Sequence, residues 1–161
     1  VNMAMCHIKL RQFPEAVEKL GFAEDEFIKE NDSETGNNRA VTYLYLSEAY
    51  NGLGMGKEAL VPAQMALDWF ETNRAYPETF ESLYQLAVAK RLLGDLDGSI
   101  KAIKENRNLI HKKDKSSSDY KLELLARLDK EEGEILIYKG SVNKGEELIR
   151  KSRAVTTLAN K

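Results

Sequence analysis

Small side chains recur through this chain at fixed intervals, and that pattern restricts what it can fold into. Ala4, Ala16 and Ala23 stand twelve and seven residues apart. The same spacing returns in Ser47, Ala59 and Ala66, in Ala87, Ser99 and Asn106, and in Gly133, Gly145 and Ser152. Five residues before the middle member of each set lies a turn position: Arg11, Gly54, Gly94 and Gly140. Glycine at three of the four suits a helix end that needs a left-handed residue. Four residues after the middle member an apolar residue follows each time: Leu20, Ala63, Ile103 and Ile149. Successive sets begin 43, 40 and 46 residues apart. Slender residues on both arms let two helix axes approach to about 8–10 Å. The spacing therefore predicts an antiparallel helix hairpin, repeated four times. One such hairpin leaves an apolar face uncovered, so stacking must supply the core.

Read in order, residues 1–161 predict one all-α domain whose hairpins span approximately 1–30, 39–72, 77–111 and 117–159. Phe13-Pro14-Glu15 and Tyr76-Pro77-Glu78 open helices, with proline where its missing N–H costs nothing. Pro62 is a misfit inside the fourth helix, where it removes a backbone hydrogen bond and predicts a bend. Asn31 to Asn38 reads NDSETGNN, which is turn chemistry throughout and predicts a loop. The glycosylation-like triplet Asn31-Asp32-Ser33 within it is treated as chance, since no secretory signal precedes it. His111 to Asp119 predicts a charged, serine-rich connector with several N-cap candidates. Val1 stands inside a helical pattern already under way, so the chain reads as a fragment of something longer. No apolar run approaches the length of a membrane span. A single cysteine, Cys6, excludes an internal disulfide framework and suits a reducing, cytoplasmic setting.

The chain resembles the tetratricopeptide repeat (TPR) family. LSEAYNGLGMGKEALVPAQMAL and LAVAKRLLGDLDGSIKAI are its clearest copies, and NMAMCHIKLRQFPEAVEKLGFA is a truncated third. The family's aromatic near the start of the first helix survives as Tyr43 and, less well, as Leu83. Glu132 stands where a large apolar residue is expected before Gly133. The pitch exceeds the usual one of roughly 34 residues. Longer helices would absorb the difference, as in the extended repeats of kinesin light chains and bacterial peptide-sensing regulators. The resemblance implies a right-handed superhelix of stacked hairpins, with the first helix of each pair lining a concave groove.

That groove is where the resemblance places partner recognition. Val41, Leu44, Glu48 and Asn51 repeat in register as Glu81, Tyr84, Val88 and Arg91, and again as Arg127, Lys130, Glu134 and Ile137. The polar members carry the expectation: Glu48, Asn51, Glu81, Tyr84, Arg91, Arg127, Lys130 and Glu134. Leu44, Val88 and Ile137 serve equally well in packing repeat on repeat. The Lys/Asn/Arg clamp with which some family members hold a chaperone's C-terminal carboxylate is not reproduced. Leu44 and Glu48 occupy places where it wants basic or amide groups.

Catalysis has few candidates. His7 and His111 are the only histidines and fall on different hairpins. Cys6 and His7 are adjacent, and neighbours on a helix do not face each other. No histidine pair has metal-ligand spacing, and one cysteine cannot build a zinc site. Gly52-Leu53-Gly54-Met55-Gly56-Lys57 evokes a phosphate-binding loop, yet Asn51 replaces its first glycine and Glu58 its magnesium-binding hydroxyl. A helix–helix turn explains the same glycines. Lys101, Lys104, His111, Lys112, Lys113 and Lys115 form a basic stripe without the interleaved aromatics or reading helix that nucleic acids require. Ser116, Ser117 and Ser118 are plausible phosphate acceptors or a plain loop. Residues 1–80 carry 7 basic and 13 acidic side chains and residues 81–161 carry 17 and 13, a gradient able to steer a charged partner.

The sequence thus predicts a non-enzymatic scaffold for a protein or peptide, with no cofactor, no metal, no nucleic acid and no membrane partner. The alternative is a peptide-sensing regulatory domain that controls an effector outside these residues. The truncated first hairpin and the apolar stripe Leu148, Ile149, Val155 and Leu158 predict homodimers through exposed ends. A clean monomer by light scattering at high protein concentration would remove that expectation. Enlarging Ala59 or Ala66 should cost about 1–3 kcal/mol by overpacking.

Overall fold

Helices fill this chain because its apolar residues recur at helical intervals and its turn residues sit only where helices end. The computed structural model describes residues 1–29, 33–114 and 118–159, with side chains described for 1–24, 36–114 and 118–155. Regular structure there is entirely helical: α1 (Asn2–Lys9), α2 (Phe13–Lys29), α3 (Ser33–Gly52), α4 (Gly56–Thr72), α5 (Tyr76–Leu92), α6 (Leu96–Lys113), α7 (Asp119–Tyr138) and α8 (Val142–Ala159). Each packs on its neighbours in sequence within two compact units, Val1–Asp95 and Leu96–Lys161. The boundary between them falls in the turn after α5, inside what the sequence reads as one hairpin of one domain.

The turns share one geometry. Arg11, Gly54, Gly94 and Gly140 adopt φ of 58°, 75°, 81° and 87°. After α3, Gly54 N–H donates to Asn51 O (3.0 Å) and Met55 N–H to Tyr50 O (2.9 Å). Those two bonds are the Schellman closure, which satisfies the last carbonyls of a helix. Equivalent pairs close α1 at Arg11 and Gln12, α5 at Gly94 and Asp95, and α7 at Gly140 and Ser141. Arg74 (φ 56°) closes α4 in the same way, a fifth left-handed residue that the repeat spacing does not mark. Proline opens α5 at Pro77, in its first turn, whereas α4 runs continuously through Pro62.

The small residues lie where helices meet. Every member of the four sets is buried except Ala23, which is half-buried. Ser47 hides its hydroxyl by donating to Leu44 O at 2.7 Å. The α7–α8 crossing is close: a Cβ on Gly145 would lie 2.5 Å from Gly133 O, and one on Gly133 would lie 2.7 Å from Gly145 O. Around these crossings, Leu20, Phe70 and Leu83 fill the first unit, and Ile103, Ile110, Leu124, Leu128 and Ile135 fill the second. Full burial of one such side chain is worth about 1.5–3 kcal/mol.

Two boundaries correct the sequence reading. The expected loop at Asn31–Asn38 is helical from Ser33 onward, while Asn31 and Asp32 lie outside the described residues. Turn propensity is a weak prior that tertiary contact overrides. Here Gly36 passes the Trp69 indole so closely that a Cβ would stand 3.2 Å from Nε1. Farther on, Thr42 Oγ1 donates to Asn38 O at 2.9 Å within the helix. The second correction is the connector expected from His111, because α6 continues through Lys113. Its basic last turn, His111, Lys112 and Lys113, favours the carbonyl end of a helix.

Candidate functional site

In the first unit the first helices α1, α3 and α5 stand side by side, with α3 in the middle. A polar seam joins α3 to α5. Asn51 Nδ2 donates to Gln85 O and to Gln85 Oε1, both at 2.9 Å. Gln85 is itself buried, and Asn51 Oδ1 is a buried acceptor with no hydrogen-bond partner among the described residues. Asn51, expected on the groove, is thus half consumed in holding one repeat to the next.

A turn earlier on α3, half-buried Tyr45 stands among three carboxylates. Burial raises its phenol above the ordinary value of 10.0, and Glu48, Glu81 and Glu78 raise it further. Glu48 comes from its own helix, while Glu78 and Glu81 come from α5. Two of the expected residues, Glu48 and Glu81, thus both act on the Tyr45 phenol. Tyr84 and Arg91 are half-buried on α5 and already engaged by neighbours. Leu44 and Val88 are buried, as packing residues are. Tyr43, the family-like aromatic, is buried too; its phenol is raised by burial and then by Glu24 from α2. Tyr45, Glu78 and Gln85 are additions that the register of repeated positions passes over. A signal existed in Gln85, an amide set between Tyr84 and Leu86 in an otherwise apolar run.

The second unit carries its own share. Arg127 and Glu134 are half-buried on α7 and Lys130 is exposed, with Lys130 Nζ 3.8 Å from Glu134 Oε1. Beside them, Arg107 of α6 forks onto α7, 2.9 Å from Asp129 Oδ1 and 2.9 Å from Glu132 Oε2. This pairing accounts for Glu132 at a position where the repeat wants a large apolar residue. Lys139 adds a contact to Asp97 at 2.6 Å, and Ser118 caps α7 by accepting from Lys121 N–H at 3.3 Å.

Sites suggested by other chemistries resolve into structure. Of the phosphate-loop glycines, Gly52 lies over the Phe13 ring, Gly54 is the left-handed turn residue, and Gly56 abuts Leu92 Cβ and Ala89 O. His7 Nδ1 is 2.9 Å from Gln12 Oε1, bridging the first turn, and Cys6 is exposed. Lys101, Lys104 and His111–Lys113 are exposed on α6, whereas Lys115, Ser116 and Ser117 fall outside the described residues. Among the described residues, no group of three or more His, Cys, Asp or Glu could hold a metal ion. No helix there is long and apolar enough to cross a membrane.

No family model matches the sequence, and no curated protein does so. Two solved structures match the fold along its length. One is the crystal structure of a Podosopora anserina protein described as a kinesin light chain with nearly identical TPR-like repeats. It has a TM-score of 0.64 at 18% identity over 99% of this chain and 94% of that one. The other is a point variant of the same protein, with a TM-score of 0.65 at 18% identity over 99% and 93%. The fold is that of TPR-like helical repeats. In TPR-like terms, α1, α3 and α7 are the first helices of hairpins completed by α2, α4 and α8, and the seam at Asn51 and Gln85 joins α3 to α5.

Proposed function

We propose that this TPR-like chain is a non-enzymatic scaffold that binds a peptide or a partner protein on the face of its first helices. One observation carries the reading. Tyr45, Glu48, Glu81 and Tyr84 are half-buried polar side chains on adjacent first helices, where Glu48 and Glu81 both act on the Tyr45 phenol. Half-buried aromatic and charged groups supply the rigid contact area and orientation that recognition of a polypeptide uses. The equivalent face of α7 offers Arg127, Lys130 and Glu134, so each unit presents a distinct charge pattern to a ligand. Asn51 acts as a spacer that fixes the distance between two binding helices, more than as a direct contact.

The test is selection of a displayed random peptide library on residues 1–161, followed by titration of the selected peptides. Binding should fall at least tenfold in Tyr84→Ala/Arg91→Ala, measured at a temperature where circular dichroism shows both chains fully folded. Selected peptides that ignore this variant, or that compete with none of its contacts, contradict the proposal. The radius of gyration of the complex separates the scaffold from a peptide-sensing regulator. A rigid scaffold keeps its radius and helix content, whereas a regulator changes shape on binding.

A further inference from the structure

The two units differ in charge, and the difference is confined to particular helices. In the first unit α2 and α4 carry eight acidic and three basic side chains. In the second, α6 and α8 carry four acidic and nine basic ones. Counted over whole helices, the two pairs are equal and opposite, at −5 and +5. The remaining helices do not share the trend. Together α1, α3 and α5 balance at four acidic and four basic, and α7 is acidic, six to three. The peptide-binding face proposed above therefore does not account for the contrast.

On α4 and α6 the opposite charges stand on open faces. Glu58 and Asp68 are exposed on α4, with Val61 and Met65 between them exposed at 62% and 39%. Steps of three, four and three residues put all four on one side of the helix. Lys101, Lys104 and Lys112 are exposed and share one side of α6 in the same way. Lys57 and Glu105, of the minority sign on each helix, are already included in the totals. Among the described residues, the side chains of Glu58, Lys101, Lys104 and Lys112 make no hydrogen bond or ion pair. At about 1.5 Å per residue, Glu58 to Asp68 spans about 15 Å and Lys101 to Lys112 about 16.5 Å. The two charged rows therefore match in length as well as in sign.

From this we infer that α4 of one copy of the chain docks on α6 of a second copy, Glu58 and Asp68 meeting Lys101, Lys104 and Lys112. Lysine stems cover apolar surface while their ammonium heads stay at its rim. The same side chains thus cover Val61 and Met65 and reach the carboxylates on either side. Every copy carries both faces, so no other partner is needed to satisfy them. Charge of matching sign on α2 and α8 steers the approach of the two units. Exposed ion pairs are individually weak, so the contact rests on their sum and is sensitive to salt. The inference stands apart from the peptide-binding reading, since it uses none of the residues proposed there.

Analytical ultracentrifugation over a concentration series tests it. At about 0.01 M salt, where the Debye length is ~30 Å, the mean mass of residues 1–161 should rise above that of the monomer. At about 1 M salt, where it is ~3 Å, the mass should return to the monomer's. Lys101→Glu/Lys104→Glu and Glu58→Lys/Asp68→Lys should each be monomeric at low salt. An equimolar mixture of the two should associate again, because each now presents the sign the other needs. Lys9→Glu/Arg11→Glu, an equal change of net charge at exposed sites by the end of α1, should self-associate as the parent does. A parent chain that stays monomeric at low salt overturns the inference. So does a mixture that stays monomeric while both variants keep the parent's helix content by circular dichroism. Loss of association in the Lys9/Arg11 control overturns it too, by reducing the contact to net charge. A monomer that instead binds oligouridylate through Lys101 and Lys104 overturns it by assigning α6 to a phosphate backbone.

Discussion

Replacing Gly145 by alanine should destabilise the chain, although alanine is the better helix former. In a helix interior the exchange alone gains about 0.8–1.0 kcal/mol. The crossing with α7 reverses that sign. The new Cβ would stand 2.5 Å from Gly133 O, 2.6 Å from Ile137 Cγ1 and 3.1 Å from Ile137 N. Ordinary contact begins at 3.4 Å, so α8 must withdraw by about 0.9 Å along that line or twist away. Two of the three atoms are backbone and cannot rotate aside. Overpacking of this kind belongs in the upper part of the usual ~1–3 kcal/mol, leaving a net loss of about 1–2 kcal/mol after the propensity gain. For a chain of this length that lowers the thermal midpoint by about 2–8 °C. Gly21 supplies the control, because its added Cβ would meet no described atom within 4 Å. Gly21→Ala should therefore raise the midpoint by about 2–4 °C. Circular dichroism at the helix band during heating and in urea reads both. A Gly145→Ala chain that gains stability as Gly21→Ala does would refute the close-crossing argument.

Three further outcomes follow from the geometry. Arg11→Gly and Arg74→Gly relieve left-handed side-chain strain of ~1–2 kcal/mol against an entropic cost of ~0.5–1 kcal/mol, so each should stabilise by about 0.5–1 kcal/mol in urea titrations; a loss in both would contradict the turn assignment. A double-mutant cycle of Arg107→Ala with Glu132→Ala should return a coupling of about 1 kcal/mol that shrinks in high salt, since the guanidinium is less than a third exposed; zero coupling would mean that the fork does not hold α6 to α7. For Tyr45 the raised phenol pKa fixes the sign: its contribution is complete below pH 10 and is lost as pH rises through the folded-state value. Tyr45→Phe should therefore flatten the fall in urea midpoint above pH 10, and an unchanged slope would contradict the burial of that phenol beside the carboxylates.

Turn positions were legible in the sequence because helix crossings and turns each impose a residue type at a point. A buried crossing accepts only slender side chains, and a left-handed turn favours glycine, so both leave marks at fixed intervals. Arg11 was found by interval alone. Arg74 carried no mark, since it closes a turn between hairpins where the small-residue spacing does not reach. The start of α3 was hidden for a different reason: SETGNN has local turn preference, and the closeness of Gly36 to Trp69, more than thirty residues away, does not show in the local sequence. Long-range pairing likewise concealed the reason for Glu132, which is answered by Arg107 on another helix. On the candidate face the repeat register supplied Glu48, Glu81 and Tyr84. It passed over Tyr45 and Gln85, because both lie one position aside from the register and owe their surroundings to the way α5 packs on α3.

Chemical-shift mapping on residues 1–161, titrated with a library-selected peptide, tests most directly whether the first helices recognise a polypeptide. The largest changes should fall on Tyr45, Glu48, Glu81 and Tyr84. Changes concentrated on the exposed sides of α2, α4 and α6, with the α3–α5 seam silent, would contradict the proposed mode of binding.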